Sequence, residues 1–391
     1  MINQIQGLHH VTSLASDAHT NNDFFTNSLG LRRVKKTVNF DAPDVYHLYY
    51  GDEKGTPGSV MTYFPFPHIV KGSPGTGEVG TTYFSVPNGS LTFWKDHLTS
   101  KGVTGAEDEA FGERRLMFQA PDADAFALVE SDDTRDNVWT GSGVSEDAAI
   151  RGFSGASFRL NDADATAELL KFMGYEETDK HENIRRFTVP NGNGADVIDL
   201  ESYPNAPRSR EGAGSVHHIA FAVKDRAAQL EVRQALLDTG YRVTPVIDRN
   251  YFWAIYFRTP GGVLFEIATN EPGFDRDEDT VFMTMELLEG VSVSDTSALR
   301  DSGVDLNEFA RRGANMFLEM IFRDGFYHAD PHPGNLLIQP GNVIGLLDFG
   351  MVGRIEESLR EDIEEMMSVS YTHLTLPTIQ HWCRSLWSPY H

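Results

Sequence analysis

The amino-acid sequence predicts an α+β fold of four βαβββ modules paired into two domains, followed by a mainly helical segment of another kind. Three observations predict it. One strand–helix–strands unit recurs four times, each of its helices stops at a glycine, and the repeat ends abruptly near EPGFDRDEDT.

The opening strands of the units are LHHVTSL, GTTYFSV, SGASFRL and VHHIAFAV, and they alternate as half-buried strands do. The helices follow in NNDFFTNSLGL, SLTFWKDHLTSKGV, ATAELLKFMGY and AAQLEVRQALLDTGY. Apolar residues recur there at helical spacing, and each stretch closes on Gly plus a hydrophobic residue. The closing strands are GSVMTYFPF, DAFALVES, GADVIDLES and GGVLFEIAT. A single unit has a helix on one face of a curled sheet and cannot bury the other face alone, so the units must pair. Pairing of neighbours gives domains over residues 1–141 and 150–280, with a boundary near 142–150 in GSGVSEDAA. The concave face of each pair is a cup suited to a small ligand.

The 391 residues suffice for two or three domains, and a hydrophobic fraction of 40% supports real cores. The net charge of −24 disfavours nucleic acid and anionic membrane surfaces as partners and fits a proteome adapted to high salt. Cys383 is the single cysteine, which excludes an intramolecular disulfide and thiolate chemistry in the main body. The opening MINQIQGLHHVTS does not read as a signal peptide, and no stretch approaches the ~18 apolar residues of a membrane span. A cytoplasmic protein is expected, with homo-oligomerisation left open.

Comparison of the copies locates the chemistry. At the second His of the opening strand, the first and fourth copies carry His10 and His218, where the second and third carry Thr81 and Gly155. In the closing strand the fourth copy carries Glu266, against Thr62, Leu128 and Asp199 in the others. Glu266 sits in the apolar strand VLFEIA, and a buried carboxylate there must be paired, protonated or bound to a cation. A lone strand histidine is more often a satisfied core residue than a ligand. Two histidines and a carboxylate at equivalent repeat positions instead suggest a facial triad with open coordination positions. That set suits Fe(II) first and Mn(II) as an alternative; Zn(II) or Ni(II) could also occupy it.

GLHHVTS, SVHHIAFAV and GGVLFEIAT resemble the vicinal-oxygen-chelate superfamily of glyoxalases and extradiol dioxygenases, and more narrowly its ring-cleaving hydroquinone dioxygenases. The resemblance covers residues 1 to about 280. It implies His10, His218 and Glu266 as ligands of Fe(II), with a small aromatic diol and dioxygen as substrates. It further implies that Arg249, Tyr256, His9, His217 and Thr12 hold substrate oxygens and stabilise the charge that develops on them. His9 and His217 should point away from their ligand neighbours unless the strand bulges. Phe64, Phe66, Phe252 and Trp253 are candidates for the pocket wall, or equally for ordinary core.

The C-terminal text differs. FYHADPHPGNLLI and NVIGLLDFGMVGRI reproduce a kinase catalytic loop and a metal-binding DFG, and together resemble the UbiB-type atypical kinases over residues 281–367. The resemblance implies Asp330 as the catalytic-loop acid and Asn335 and Asp348 as Mg²⁺ ligands. No glycine-rich loop, strand lysine or partner glutamate precedes them, so the segment is expected to be an inactive fragment. ATP and Mg²⁺ matter only if it were competent. Residues 368–391 match neither pattern and read as a non-native-looking tail, so the chain resembles a chimera. Competing readings are a glyoxalase-type lyase or isomerase, which would want a fourth protein ligand, a metal-free binding module, and a kinase.

Overall fold

The computed structural model describes residues 2–277 and, beyond them, 290–294, 298–299, 305–328, 330, 332–339, 341, 343–346 and 352–355. Two compact units divide the chain, Met1–Phe282 and Met283–His391.

In the first unit the four modules run in order. The first is β1 (Ile5–Ala15), α1 (Ala18–Asp23, continued by a π turn at Phe24–Ser28), β2 (Arg32–Asn39), β3 (Ala42–Gly51) and β4 (Val60–Pro65). The second is β5 (Glu78–Pro87), α2 (Leu91–Ser100), β6 (Ala106–Ala110), β7 (Glu113–Gln119) and β8 (Ala125–Ser131). The third is β9 (Gly152–Leu160), α3 (Asp164–Phe172), β10 (Glu176–His181), β11 (Ile184–Thr188) and β12 (Val197–Ser202). The fourth is β13 (Val216–Val223), α4 (Arg226–Asp238), β14 (Ile247–Asp248), β15 (Phe252–Arg258) and β16 (Leu264–Pro272). Asp17 and Asp225 cap the starts of α1 and α4 by accepting from backbone N–H groups. The four glycines that follow the helices, Gly30, Gly102, Gly174 and Gly240, all have positive φ, the conformation that ends a helix without a Cβ clash.

The pairing differs from the neighbour-with-neighbour arrangement expected above. One eight-stranded sheet has the order β14-β15-β16-β13-β1-β4-β3-β2, joining the fourth module to the first. The other, β10-β11-β12-β9-β5-β8-β7-β6, joins the third to the second. The physical reason lies in the connections. Residues 66–77 and 203–215 each cross from one sheet to the other, and they satisfy their backbones on one another: Ser73 and Arg210 exchange N–H···O bonds of 2.9 Å, and Gly72 N donates to Ala213 O at 3.0 Å. Sequence adjacency therefore does not dictate sheet adjacency. Within each module the opening and closing strands are parallel; between modules the opening strands are antiparallel.

One face of both sheets and the helices share a single core that includes Leu8, Phe25, Tyr50, Phe84, Trp94, Phe158, Phe221 and Phe265. The other face of the β1/β13 sheet carries its own cluster, with Tyr49, Ala220, Phe252, Ala254 and Phe274. Tyr83, Ala127 and Val129 line the matching face of the β5/β9 sheet. Leu128, aligned with Glu266 on the sequence alone, faces the shared core; Ala127 holds the cup position. A one-residue slip exchanges faces in a strand.

In the second unit, α5 (Leu306–Phe322) begins at the cap Asp305. Among the described residues, β17 (Val291–Ser292), β19 (Leu336–Gln339) and β20 (Val343–Leu346) form one small sheet, and β18 (Phe326–His328) pairs with β21 (Val352–Arg354).

Candidate metal centre

The β1/β13 pair is where the first and last modules meet, and its register builds the site. Thr12 lies opposite His218, and His10 opposite Ala220. Ala220 in turn lies beside Glu266 on β16, and Glu266 is opposite Tyr256 on β15. Each of His10, His218 and Glu266 contributes one ligand-capable atom, and these atoms lie within 4.8 Å of one another. All three residues are buried, Glu266 completely.

Two β-bulges shape the surroundings. Leu8 pairs with Phe221 and His10 with Ala220, so β1 spends two steps against one and His9 is the extra residue. Thr12 pairs with His218 and Ser13 with Val216, so His217 is the extra residue on β13. Regular alternation would turn both away from their neighbours. The bulges instead bring His9 Nδ1 to 2.9 Å from His10 Nδ1, and His217 Nδ1 to 2.7 Å from His218 Nδ1.

The first contact fixes a proton. His9 Nε2 is 3.1 Å from Thr269 O, which can only accept, so the His9 proton sits on Nε2. Burial keeps His9 uncharged, pushing it down to about 3, so its Nδ1 is an acceptor. His10 must then donate from Nδ1. His10 Nε2 lies 3.3 Å from Glu266 Oε2, and His218 Nε2 approaches the same oxygen at 2.9 Å.

Neither oxygen of Glu266 has a hydrogen-bond partner of good geometry. Burial opposes ionisation of Glu266, yet the His10 and His218 rings beside it bring its carboxyl well below the usual range. Burial pushes His218 down to about 4. A buried carboxylate flanked by two imidazole nitrogens is the donor set of a divalent metal ion and a poor arrangement without one. The residues fit a metal.

A cavity of about 60 Å³ opens beside this cluster, lined among others by His10, His218, His47, Phe252, Arg249 and Tyr256. Arg249 Nε donates to the Tyr256 hydroxyl at 3.2 Å, and its Nη2 is 3.0 Å from Asp41 Oδ2. Burial and the Glu266 charge raise the Tyr256 phenol well above its ordinary value. Phe64 also lines the cavity. Phe66, 6.5 Å from Phe64 between ring centroids, and Trp253, under the Arg226 guanidinium, are not among the residues lining the cavity. Thr12 is fully buried and hydrogen-bonded to Thr62 at 2.8 Å. A larger surface hollow of about 750 Å³, near Val103 and Met117, contains none of the triad.

His47 and Tyr49 were not singled out from the sequence. Their signal is alternation in VYHLYY, which places residues 47 and 49 on one face of β3. In the second unit Asn335 Nδ2 donates to Asp330 O at 3.1 Å, so these two residues meet. Asp348 and Cys383, and the tail 368–391, lie outside the described residues.

Comparison with known proteins agrees with this architecture. Residues 7–267 match the model of the Glyoxalase/Bleomycin resistance protein/Dioxygenase superfamily, and residues 277–373 match that of the ABC1 atypical kinase-like domain. The chain is 42% identical over 289 residues to "Putative ring-cleaving dioxygenase MhqO" of Bacillus subtilis, covering 74% of this chain and 92% of that protein. It is 35% identical over 307 residues to the chlorohydroquinone/hydroquinone 1,2-dioxygenase of Sphingobium indicum, covering 74% and 94%. A solved Bacillus subtilis structure at 42% identity superposes with a TM-score of 0.68 over 71% of this chain and 89% of its own. Glyoxalase I from Zea mays, at 15% identity, shares the fold with a TM-score of 0.52 over 68% and 92%. The superfamily match spans most of the chain, and the chain belongs to the Glyoxalase/Bleomycin resistance protein/Dioxygenase superfamily.

Proposed function

We propose that residues 1–280 form an Fe(II)-dependent dioxygenase that cleaves the ring of a hydroquinone or catechol-type diol, with His10, His218 and Glu266 holding the metal. The observation that carries this is the convergence of two imidazole nitrogens on an orphaned, fully buried carboxylate. The names of the relatives support the reaction class. Three protein ligands rather than four, among the described residues, favour an oxygenase over a glyoxalase-type isomerase, because open positions are left for two substrates. Bound there, Fe(II) would supply adjacent positions for a diol oxygen and dioxygen and the electron transfer between them.

The protein's own groups do the rest. Arg249 and Tyr256 present an N–H and an O–H at the cavity wall, where they can hold a substrate oxygen as negative charge grows on it. Phe64 and Phe252 give the ring an apolar slot and exclude water. His9 and His217 orient the ligand imidazoles through their Nδ1 contacts. Mn(II) is the alternative metal, and the cytoplasm is the compartment we assign.

Anaerobic loading with Fe(II), followed by an oxygen-electrode screen of hydroquinones and catechols, tests the reading. Consumption of one O₂ per diol with a coloured ring-fission product is the expected result. Unaltered turnover in His218→Ala would overturn it.

We infer also that the kinase-like segment is inactive, since a glycine-rich loop, strand lysine and partner glutamate are absent from the sequence before it. Binding of ATP–Mg²⁺ by the full chain would contradict this.

A further inference from the structure

The cavity beside the triad is smaller than an aromatic ring needs. It measures about 60 Å³, whereas a benzene ring buried in a protein interior takes a cavity on the order of 150 Å³. A diol is larger than benzene, so part of the wall must move to admit one. Much of the wall is fixed: His10, His47, Tyr49 and Phe252 are buried on strands of the β1/β13 sheet. Two lining residues are exposed instead, Phe40 and Asp41, at the turn between β2 and β3.

These two are also the parts of the wall that cost least to displace. Phe40 is 51% exposed although it borders the cavity, so leaving it forfeits little burial. Asp41 Oδ2 is 3.0 Å from Arg249 Nη2, but the Asp41 side chain is 74% exposed, and solvent keeps such a pair weak. The turn is joined to its ladder through a break. Val38 lies opposite Tyr46, yet the next residue, Asn39, lies opposite Ala42, so residues 43–45 are passed over. Beyond the break, Asn39 Oδ1 accepts from Asp41 N at 2.9 Å and holds the turn together as a small unit. Release of Asp41 has a second consequence, because it frees an Arg249 N–H at the cavity wall.

We propose that the Phe40–Asp41 turn is the gate of the site, held shut by the Asp41–Arg249 ion pair, and that Phe40 sets which ring substituents are admitted. The proposal rests on the diol reading above and adds to it the residue that selects among diols. A ring that reaches the triad through one oxygen turns its far edge to this opening, where Phe40 meets its substituents.

The gate can be read without substrate. In the metal-free full-length chain, His47→Cys in a Cys383→Ser background puts a thiol in the cavity wall. Its labelling by an uncharged aromatic disulfide should speed up about two- to fivefold when Asp41→Asn is added, the worth of a solvent-screened ion pair. Phe40→Ala should speed it further. Added salt should accelerate labelling in the parent and not in Asp41→Asn. Rates unchanged by both Asp41→Asn and Phe40→Ala would overturn the proposal. Acceleration by Arg258→Ala alone would overturn it too, because a second hollow of about 140 Å³ reaches His217 and His218 from the side of Arg208 and Arg258.

Selection is read by anaerobic binding to the Fe(II)-loaded protein. Phe40→Ala should raise the affinity for tert-butylhydroquinone relative to hydroquinone by roughly tenfold. An unchanged ratio would overturn the selecting role of Phe40, and if His47→Cys does not fold, this ratio decides alone. A wild-type protein that loads Fe(II) and binds neither diol would refute the diol reading instead, and the labelling rates would still judge the gate.

Discussion

The two cups are built on the same plan and neutralise a buried carboxylate in different ways. In the β1/β13 sheet, Glu266 faces two imidazoles and has no hydrogen-bond partner, and Tyr256 is its cross-strand neighbour. In the β5/β9 sheet, the equivalent carboxylate is Asp199, and its cross-strand neighbour is Arg186. Arg186 grips it with bonds of 2.8 and 2.9 Å, while buried Arg115 and half-buried Glu113 complete an ionic cluster beside the Phe111 ring. A third buried acid, Asp124, accepts from the Tyr63 hydroxyl, and burial lifts its carboxyl to about 6. A buried carboxylate can thus be matched by a guanidinium, by a proton, or by an ion that is not part of the chain. Glu266 lacks the first two solutions, and that contrast points to the third.

The largest expected effect is loss of the metal. His218→Ala or Glu266→Ala should abolish metal retention and turnover while the far-ultraviolet circular dichroism stays native, whereas Asp199→Ala should leave metal content intact. Metal loss in Asp199→Ala with none in Glu266→Ala would reverse the comparison of the cups.

Asp199→Ala should instead destabilise the fold by about 1–3 kcal/mol, because Arg186 Nε and Nη2 lose their acceptor and only Glu113 remains to pair with Arg186 and Arg115. Urea denaturation measures this, and a change under about 1 kcal/mol would mean the ionic cluster is replaceable by water.

His9→Leu removes the acceptor for His10 Nδ1–H without touching the triad. It should weaken Fe(II) affinity by roughly 10–100-fold, read by competition with a chelator. Unchanged affinity would show that the bulge, rather than the His9 nitrogen, orients His10.

The smallest effect concerns pH. The raised Asp124 carboxyl means the folded chain holds a proton that the unfolded chain releases between about pH 4 and 6. Its contribution is greatest below the unfolded carboxylate range and declines as pH rises through about 6. Asp124→Asn should remove that decline, worth on the order of 1–2 kcal/mol, in urea midpoints measured from pH 4 to 7. An identical slope in the variant would mean Asp124 is ionised in the fold.

The modules, their helices and the three converging residues were legible in the sequence because repetition supplies internal controls. His10 and His218 stand out against Thr81 and Gly155 only once the copies are aligned. Sheet pairing was not legible, because it depends on where residues 66–77 and 203–215 cross, and crossing segments carry no periodicity. Yet one sequence observation already demanded the observed pairing: His10 can share an ion with His218 and Glu266 only if the first and fourth modules lie side by side. The placement of His9 and His217 hinged on bulges, which shift pairing by one residue and leave no compositional trace. His47 was hidden for another reason. Its hydrogen-bond partners are Tyr49 on its own strand and Thr62 on the next, and neither looks unusual alone.

Anaerobic Fe(II) titration of the full chain and of His10→Ala, His218→Ala and Glu266→Ala, with bound metal counted after desalting, tests the shared site most directly. One equivalent in the wild type and essentially none in each variant is the expected result. A full equivalent retained by all three variants would contradict a site made of these side chains.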